Sequence, residues 1–346
     1  MNGFDLKKLD EFDNHKLVQF LFDEKTGLHG FVVIHRGNNG NPALGATRLW
    51  EYKSEEKALR DALRLSRTMS YKSALAGLPY GGAKAVLISS AKIKSRKKLF
   101  TSYAKEINSL DGKFITGSDV GVTSKDVQLI RQHTPYIIGN RLDPAYYTAL
   151  GVYYGIQEAL RYVFGSGNLK NRSFAIQGTG KTGSHLLKLI YPFAEKIFIA
   201  DIDKEKVKKM KHNFPKVRIV NPSNITKQKV DVFSPCAVSG AINSENVTNL
   251  HCSIIAGSAN NQLENENIDI LLYKLGILYS PDYVINAGGL ISVVDEMEQG
   301  RPSKKRILKR IVNIQDRLKN IFNQSSKKNR STGEIAKQIA ESVFNK

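Results

Sequence analysis

The run Gly178-Thr179-Gly180-Lys181-Thr182-Gly183 constrains this chain more than any other feature. It directly follows Ser173 to Gln177, which reads as a strand, and opens Thr182 to Ile190, which reads as a helix. Glycines at this spacing match G-x-G-x-x-G. The first permits a tight turn, the second lets backbone approach a pyrophosphate, and the third lets the helix pack on the strand. The helix N-terminus adds free N–H groups and the positive end of its dipole. A second strand, Lys196 to Ala200, runs into Asp201, 23 residues after Gly178. A carboxylate there accepts hydrogen bonds from ribose hydroxyls and repels a 2′-phosphate, so the pattern predicts an NAD site rather than an NADP site. Gly180-Lys181-Thr182 resembles the end of a P-loop, but the earlier glycine position holds Ala175, so that motif fails.

The surrounding periodicity extends the α/β pattern in both directions. Further helix and strand signals follow at Lys204 to Asn213, Val230 to Phe233, Ser253 to Ala256 and Gly276 to Tyr279. Such alternation with short connections implies a parallel, doubly wound sheet. Upstream, Leu17 to Phe22 and Gly30 to His35 read as a strand pair. Ser54 reads as the N-cap of a helix whose Leu59, Ala62, Leu63, Ser66 and Met69 share one face. Gly81-Gly82 reads as a break before the strand Ala85 to Ile88, followed by a helix near Lys97 to Leu110 and a strand at Phe114 to Thr116. Ile307, Ile311, Ile314, Leu318 and Ile321 form a helical stripe, and Ser331-x-x-Glu334 is a capping box opening a last helix. At 346 residues two domains are expected. The predicted fold is α/β, with a substrate-binding and oligomerisation domain over 1–140 joined by a C-terminal helix over 331–346. A Rossmann domain is expected over 141–330, with a cleft between the two.

The formal charge of +20 raises the question of a polyanionic partner. The basic clusters, Lys92 to Lys98, Lys204 to Lys211, Lys304 to Arg310 and Lys327 to Arg330, are scattered over helix faces and linkers and lack interleaved aromatics. They read as solvated surface, and no nucleic-acid partner is expected. No apolar run is long enough to span a membrane, and the N-terminus lacks a signal-peptide pattern. Two cysteines, Cys236 and Cys252, suit a reducing compartment, so the expected location is cytoplasmic. The seven histidines contain no H-x-x-x-H, and no metal is expected.

Several further stretches resemble the glutamate/leucine/phenylalanine/valine dehydrogenase family, and its leucine dehydrogenases most closely. They are Ala43 to Arg48, Met69 to Lys72, Gly81 to Val86, Phe114 to Gly121, Thr148 to Val152, Ser234 to Ala237, Gly257 to Leu263 and Tyr283 to Gly289, in family order. The resemblance implies that Lys72 binds a substrate carboxylate and that Lys84 polarises the water that attacks an imine. Asp119 would be the general acid/base. It further implies that Thr148 meets the nicotinamide amide, that Cys236, Ala237 and Asn261 lie along the cofactor, and that Gly45 lies at the substrate. Residue by residue, plainer roles compete. Asp119 could cap a helix from Thr123, Thr148 could cap one from Gly151, and Cys236 could be a buried structural thiol.

The resemblance also implies a side-chain pocket of Leu44, Met69, Gly117, Ile138, Leu290 and Val293. That set carries no charge to meet a glutamate side chain. The chain departs from leucine dehydrogenases at Ala46, at Gly117-Ser118, at Ile138, at Lys181, at Ser292, and in a shorter stretch from Asn140 to Tyr147. The expected activity is reversible, NAD-dependent oxidative deamination of leucine, isoleucine or valine by a homo-oligomer. The alternatives are an aromatic amino-acid dehydrogenase, for which Gly117 makes room, and a catalytically inactive NAD-binding regulatory protein.

Overall fold

A computed structural model describes residues 5–37, 40–139 and 141–344, so expectations that fall on residues 1–4 and on Asn140 lie outside it. The chain forms two compact units, Met1–Arg141 with Ala340–Lys346, and Leu142–Ile339.

The first unit contains β1 (Leu17–Asp23), β2 (Leu28–Arg36), β3 (Ala43–Leu44), β4 (Thr47–Trp50), α1 (Glu55–Leu75), β5 (Gly81–Ile88), α2 (Arg96–Ser109), β6 (Phe114–Ile115) and α3 (Ser124–Arg131). β1 and β2 pair antiparallel, as do β2 and β5, whereas β3 and β4 both run parallel to β5 and β6 runs parallel to β3. β3 and β4 are one interrupted path: Ala43 and Leu44 pair with Gly81 and Gly82, and Thr47 to Trp50 pair with Ala85 to Ile88.

The pleat sorts the side chains. Val32, Leu49, Ala85 and Leu87 pack with Leu99, Phe100 and Tyr103 of α2. Phe31, Val33, Val86 and Ile88 pack with Leu59, Ala62 and Leu63 of α1. Arg48 and Lys84, alternating with these, therefore project on the α1 face. Gly81 and Gly82 are not the expected break before the strand; they are its first two residues. A Cβ on Gly82 would lie 2.0 Å from the Ser70 nitrogen of α1, and one on Gly81 1.7 Å from the Arg36 carbonyl oxygen of β2, so each is glycine because another backbone presses against the strand there.

The second unit contains α4 (Pro144–Phe164), β7 (Ser173–Gln177), α5 (Lys181–Ile190), β8 (Lys196–Ala200), α6 (Lys204–Asn213), β9 (Arg218–Ile219), β10 (Val230–Pro235), β11 (Cys252–Ile255), α7 (Glu266–Lys274), β12 (Leu278–Tyr279), α8 (Asp282–Ile285), α9 (Gly288–Gln299), α10 (Lys304–Lys328) and α11 (Thr332–Phe344). Its sheet runs β12-β11-β10-β7-β8-β9 with every pair parallel. The first strand, β7, thus lies between β8 and β10, where the winding reverses. In such sheets ligands bind beyond the strand C-termini at this switch point.

Ser331 and Glu334 make the reciprocal capping box of α11. The Ser331 nitrogen donates to Glu334 Oε2 at 3.1 Å, and the Glu334 nitrogen donates to Ser331 Oγ at 3.4 Å. The helix divides between the units: it begins in the second and ends in the first, where Glu341 accepts from the Tyr71 hydroxyl. Among the described residues no helix is long and apolar enough to cross a membrane.

Candidate active site

In the first unit the candidate residues gather around β5. Lys84 is buried, and its Nζ donates to Asp119 Oδ2 at 2.6 Å. The loop carrying Asp119 is laddered onto β4: the Thr47 nitrogen donates to the Gly117 carbonyl, the Asp119 nitrogen to the Thr47 carbonyl, and the Leu49 nitrogen to the Val120 carbonyl. Asp119 is not a helix cap, because Thr123 caps α3 itself, in a capping box with Asp126. Lys72 is buried in the last turn of α1, two residues after the Ser70 backbone that meets Gly82.

The same oxygen of Asp119 also accepts from Arg48 Nε at 3.0 Å. Burial pushes the Asp119 carboxyl up, but the positive charges of Lys84 and then Arg48 outweigh it and hold the group well below the usual carboxylate range. Arg48 continues to Asp61 on α1, its Nη1 donating to Oδ2 at 2.8 Å, and that oxygen also accepts from the Tyr52 hydroxyl at 2.6 Å. Sequence reasoning missed Arg48, Asp61 and Tyr52. The available signal was an arginine alternating with the buried Thr47 and Leu49 on a strand.

Four of the expected pocket residues, with Gly45, lie in this unit. Leu44 is buried; Met69, Gly117 and Ile138 are half-buried. A Cβ on Gly117 would sit 3.4 Å from the Ile138 carbonyl oxygen and 3.5 Å from that of Gly45, so these three are immediate neighbours. Leu290 and Val293 lie in the second unit, half-buried on α9, one turn apart.

In the second unit the glycine run is the turn from β7 into α5. Gly178 has φ +97°, in the left-handed region that favours glycine. A Cβ on Gly183 would lie 2.0 Å from the Gly178 carbonyl oxygen, whereas one on Gly180 would meet nothing within 4 Å. The Gly180 N-cap has no side chain to occupy the first N–H groups of α5. This is an open cradle for an anion, and it fits a dinucleotide pyrophosphate.

Thr179, Lys181 and Thr182 fill the turn. Asp201 Oδ2 accepts from the Thr179 nitrogen at 2.7 Å and from its hydroxyl at 3.0 Å, and Oδ1 accepts from the Asp203 nitrogen at 3.0 Å. Burial raises the Asp201 carboxyl, but these bonds outweigh it and hold the group low, hence anionic. Oδ2 is filled by its two Thr179 bonds, whereas Oδ1 retains a lone pair for a ribose hydroxyl.

Cys236 and Ala237 follow β10 directly beneath the loop, Ala237 closing on Gly178, while burial pushes the Cys236 thiol up. Asn261, with φ +49°, lies in the loop after β11. Asn286 Nδ2 donates to Asn260 Oδ1 at 2.9 Å. Gln177 Oε1 and Ser234 Oγ, at the C-terminal ends of β7 and β10, and Gln262 Oε1 and Asn286 Oδ1, in and against the loop after β11, are buried with no hydrogen-bond partner, as expected where a polar ligand completes the network. Thr148 is not an N-cap. It lies one turn inside α4, which Asp143 caps, and a Cβ on Gly289 of α9 would meet its hydroxyl at 2.5 Å. Two exposed apolar residues were also missed: Ile202 and Val238, 90% and 60% exposed, follow β8 and β10 on either side of the glycine turn. Among the described residues no group of three or more histidine, cysteine, aspartate or glutamate side chains could hold a metal.

A parallel sheet with a glycine turn and a terminal carboxylate, in a chain whose other unit carries a buried lysine–aspartate pair, defines a dinucleotide-dependent α/β oxidoreductase. Residues 15–137 match the family model of the Glu/Leu/Phe/Val dehydrogenase dimerisation domain, and residues 139–343 match that of Glutamate/Leucine/Phenylalanine/Valine dehydrogenase. The chain belongs to this family of amino-acid dehydrogenases. It is 42% identical over 331 residues to L-tryptophan dehydrogenase of Nostoc punctiforme, covering 94% of this chain and 92% of the relative. The crystal structure of the L-tryptophan dehydrogenase from Nostoc punctiforme superimposes with a TM-score of 0.83 at 41% identity, covering 96% of each chain. Leucine dehydrogenase of Geobacillus stearothermophilus is 38% identical over 343 residues, covering 97% of this chain and 92% of the relative.

Proposed function

We propose that this protein catalyses the reversible, NAD-dependent oxidative deamination of an apolar L-amino acid to its 2-oxo acid and ammonia. The observation that carries this is the ion pair of the buried Lys84 with the half-buried Asp119, two residues after Gly117, in a unit where the candidate side-chain residues Leu44, Met69, Gly117 and Ile138 carry no charge. In this scheme Lys72 holds the substrate carboxylate. Asp119 accepts the proton released by the substrate ammonium and returns protons as the amine leaves. Lys84 turns from Asp119 to the water that adds to the imine and stabilises the developing carbinolamine oxygen. NAD, when bound, supplies the hydride acceptor. Gly178 to Gly183 and α5 hold its pyrophosphate, Asp201 its ribose, and Thr148, Cys236, Ala237 and Asn261 line its path. The match of residues 15–137 to a dimerisation domain supports a homo-oligomer.

Branched-chain substrates suit the apolar Leu44, Gly45, Met69 and Ile138 of the first unit. The aromatic reading is favoured by one observation, Gly117, where a missing methyl leaves space beside the Ile138 and Gly45 carbonyls. Screening the twenty L-amino acids with NAD, followed at 340 nm, tests both readings. Leucine, isoleucine and valine should react best, phenylalanine and tryptophan measurably, and glutamate hardly at all. A methyl contact discriminates by about 1–3 kcal/mol, so Gly117→Ala should depress aromatic substrates about tenfold relative to valine. A best rate with glutamate, or a gain for phenylalanine in Gly117→Ala, contradicts this pocket.

Cofactor choice gives a separate test. The anionic Asp201 should make NAD strongly preferred over NADP, and Asp201→Ser should narrow that ratio by about tenfold or more. Comparing kcat/KM for the two cofactors measures it. A wild-type preference for NADP overturns the role given to Asp201.

A further inference from the structure

We infer that Arg48 is a positioning residue of the reaction centre, holding the Asp119 carboxylate by one oxygen so that the other is presented ionised to the substrate. The inference rests on the reading of Asp119 as the proton carrier.

The geometry gives Arg48 two fixed ends. Its Nε donates to Asp119 Oδ2 at 3.0 Å and its Nη1 to Asp61 Oδ2 at 2.8 Å. Asp61 is itself pinned, by the Tyr52 hydroxyl at 2.6 Å and by Arg64 Nη2 on its other oxygen at 2.8 Å. A planar guanidinium bonds two carboxylates from two nitrogens fixed in one plane, whereas an ammonium would make both bonds from one rotatable nitrogen. Both cations that touch Asp119, Arg48 from β4 and Lys84 from β5, use the same oxygen, so neither holds Oδ1.

The chemistry separates the two cations. Lys84 has work on the substrate oxygen and must leave Asp119 during turnover. Arg48 is tied to α1 through Asp61 and has no such task. When Lys84 turns away, Arg48 is the charge that keeps Asp119 ionised and fixed. Among the described residues, the charged groups bonded to Asp119 are Lys84 from β5 and Arg48 from β4. Behind Arg48 stand Asp61 and Arg64 from α1 and Tyr52 after β4. Removing Arg48 therefore takes from the carboxylate the positive neighbour that stays bonded to it when Lys84 turns away. Its pKa in the substrate complex must rise, and activity that needs the anion must be lost at a higher pH than before.

The test is the pH dependence of kcat for oxidative deamination, which reports ionisations in the substrate complex. It compares the wild type with Arg48→Gln, Arg48→Lys, Asp61→Asn and Asp119→Asn, with circular dichroism and NADH binding as controls for folding. Arg48→Gln should move the acid limb up by about one pH unit or more, recovering toward high pH. Arg48→Lys, which keeps a charge but not the bridge, should leave the limb near its wild-type position and lower kcat throughout. An Arg48→Gln limb that coincides with the wild type overturns the inference. If Arg48→Gln does not fold, Asp61→Asn decides: a lowered kcat with unchanged KM supports it, and an unchanged kcat overturns it. Wild-type turnover in Asp119→Asn would instead remove the underlying assignment of Asp119, whatever the Arg48 variants do.

Discussion

Lys84→Ala is expected to lower turnover by about three orders of magnitude or more, the scale of removing a preorganised electrostatic donor from a buried site. Lys84 is held in the middle of β5 on the α1 face, 5% exposed, where a charged side chain has no solvent to stabilise it. Its stable partner is Asp119, so the charge is tolerated because the pair is made, and the proposed chemistry is what the pair is for. NADH binding should be essentially unchanged, because the glycine turn and Asp201 belong to the other unit. Stability should fall only modestly, by about 1–3 kcal/mol, because Arg48 remains to neutralise Asp119. Asp119→Asn should cost about 10²–10⁴-fold in turnover, since an amide keeps the shape and carries no proton. Single-turnover kinetics on the purified, folded variants separates the step lost from any change in binding. A Lys84→Ala enzyme with turnover within tenfold of wild type would sink the role given to Lys84.

The parts of this molecule legible in its sequence are those whose physics is local. β7, β8 and α6 span the residues expected of them, because a buried parallel strand is a short apolar run and a helix start carries its own cap. The glycine turn from β7 into α5 was legible for the same reason: three glycines and an acid lie within one strand–helix–strand unit. Gly81-Gly82 misled because paired glycines normally mark a turn. What made them glycine was the close approach of the Ser70 backbone of α1 to Gly82 and of the Arg36 backbone of β2 to Gly81, which no local pattern encodes. The plainer reading of Thr148 as a cap fails for a related reason. Its pattern fits a cap, but Pro144 one turn earlier lets α4 start sooner, with Asp143 as cap.

The first-unit centre was the least local. Lys84 and Asp119 are far apart in sequence and were brought together on paper only by resemblance. Arg48 escaped because a charge alternating with apolar residues on a strand reads as solvent-facing. Here that face is covered by α1, whose Asp61 supplies the counter-charge. Legibility therefore ended where a residue's environment is set by an element elsewhere in the chain.

The three glycines of the turn should respond to substitution in different ways, and the contrast between two of them tests cofactor binding apart from folding. A Cβ on Gly183 would stand 2.0 Å from the Gly178 carbonyl oxygen and 3.4 Å from the Cys236 Cβ. Backbone cannot yield that distance without reshaping the turn, so Gly183→Ala should cost about 1–3 kcal/mol of stability and impair NADH binding together with it. A Cβ on Gly180 meets nothing within 4 Å, and the residue has φ −64°, which alanine adopts freely. Gly180→Ala should therefore leave the melting temperature unchanged, within about 0.5 kcal/mol of wild-type stability. Yet the methyl would stand at the N-terminus of α5, where the pyrophosphate needs bare backbone. NADH affinity should fall about 10–100-fold, a loss of about 1.4–2.8 kcal/mol in binding alone. Thermal melts with and without NADH read both quantities in one experiment: Gly180→Ala should melt like the wild type in its absence and lose most of the shift in its presence. A Gly180→Ala protein that keeps the full NADH shift would mean that the phosphates do not lie on this turn, and the fingerprint would have to be read as an ordinary strand-to-helix connection.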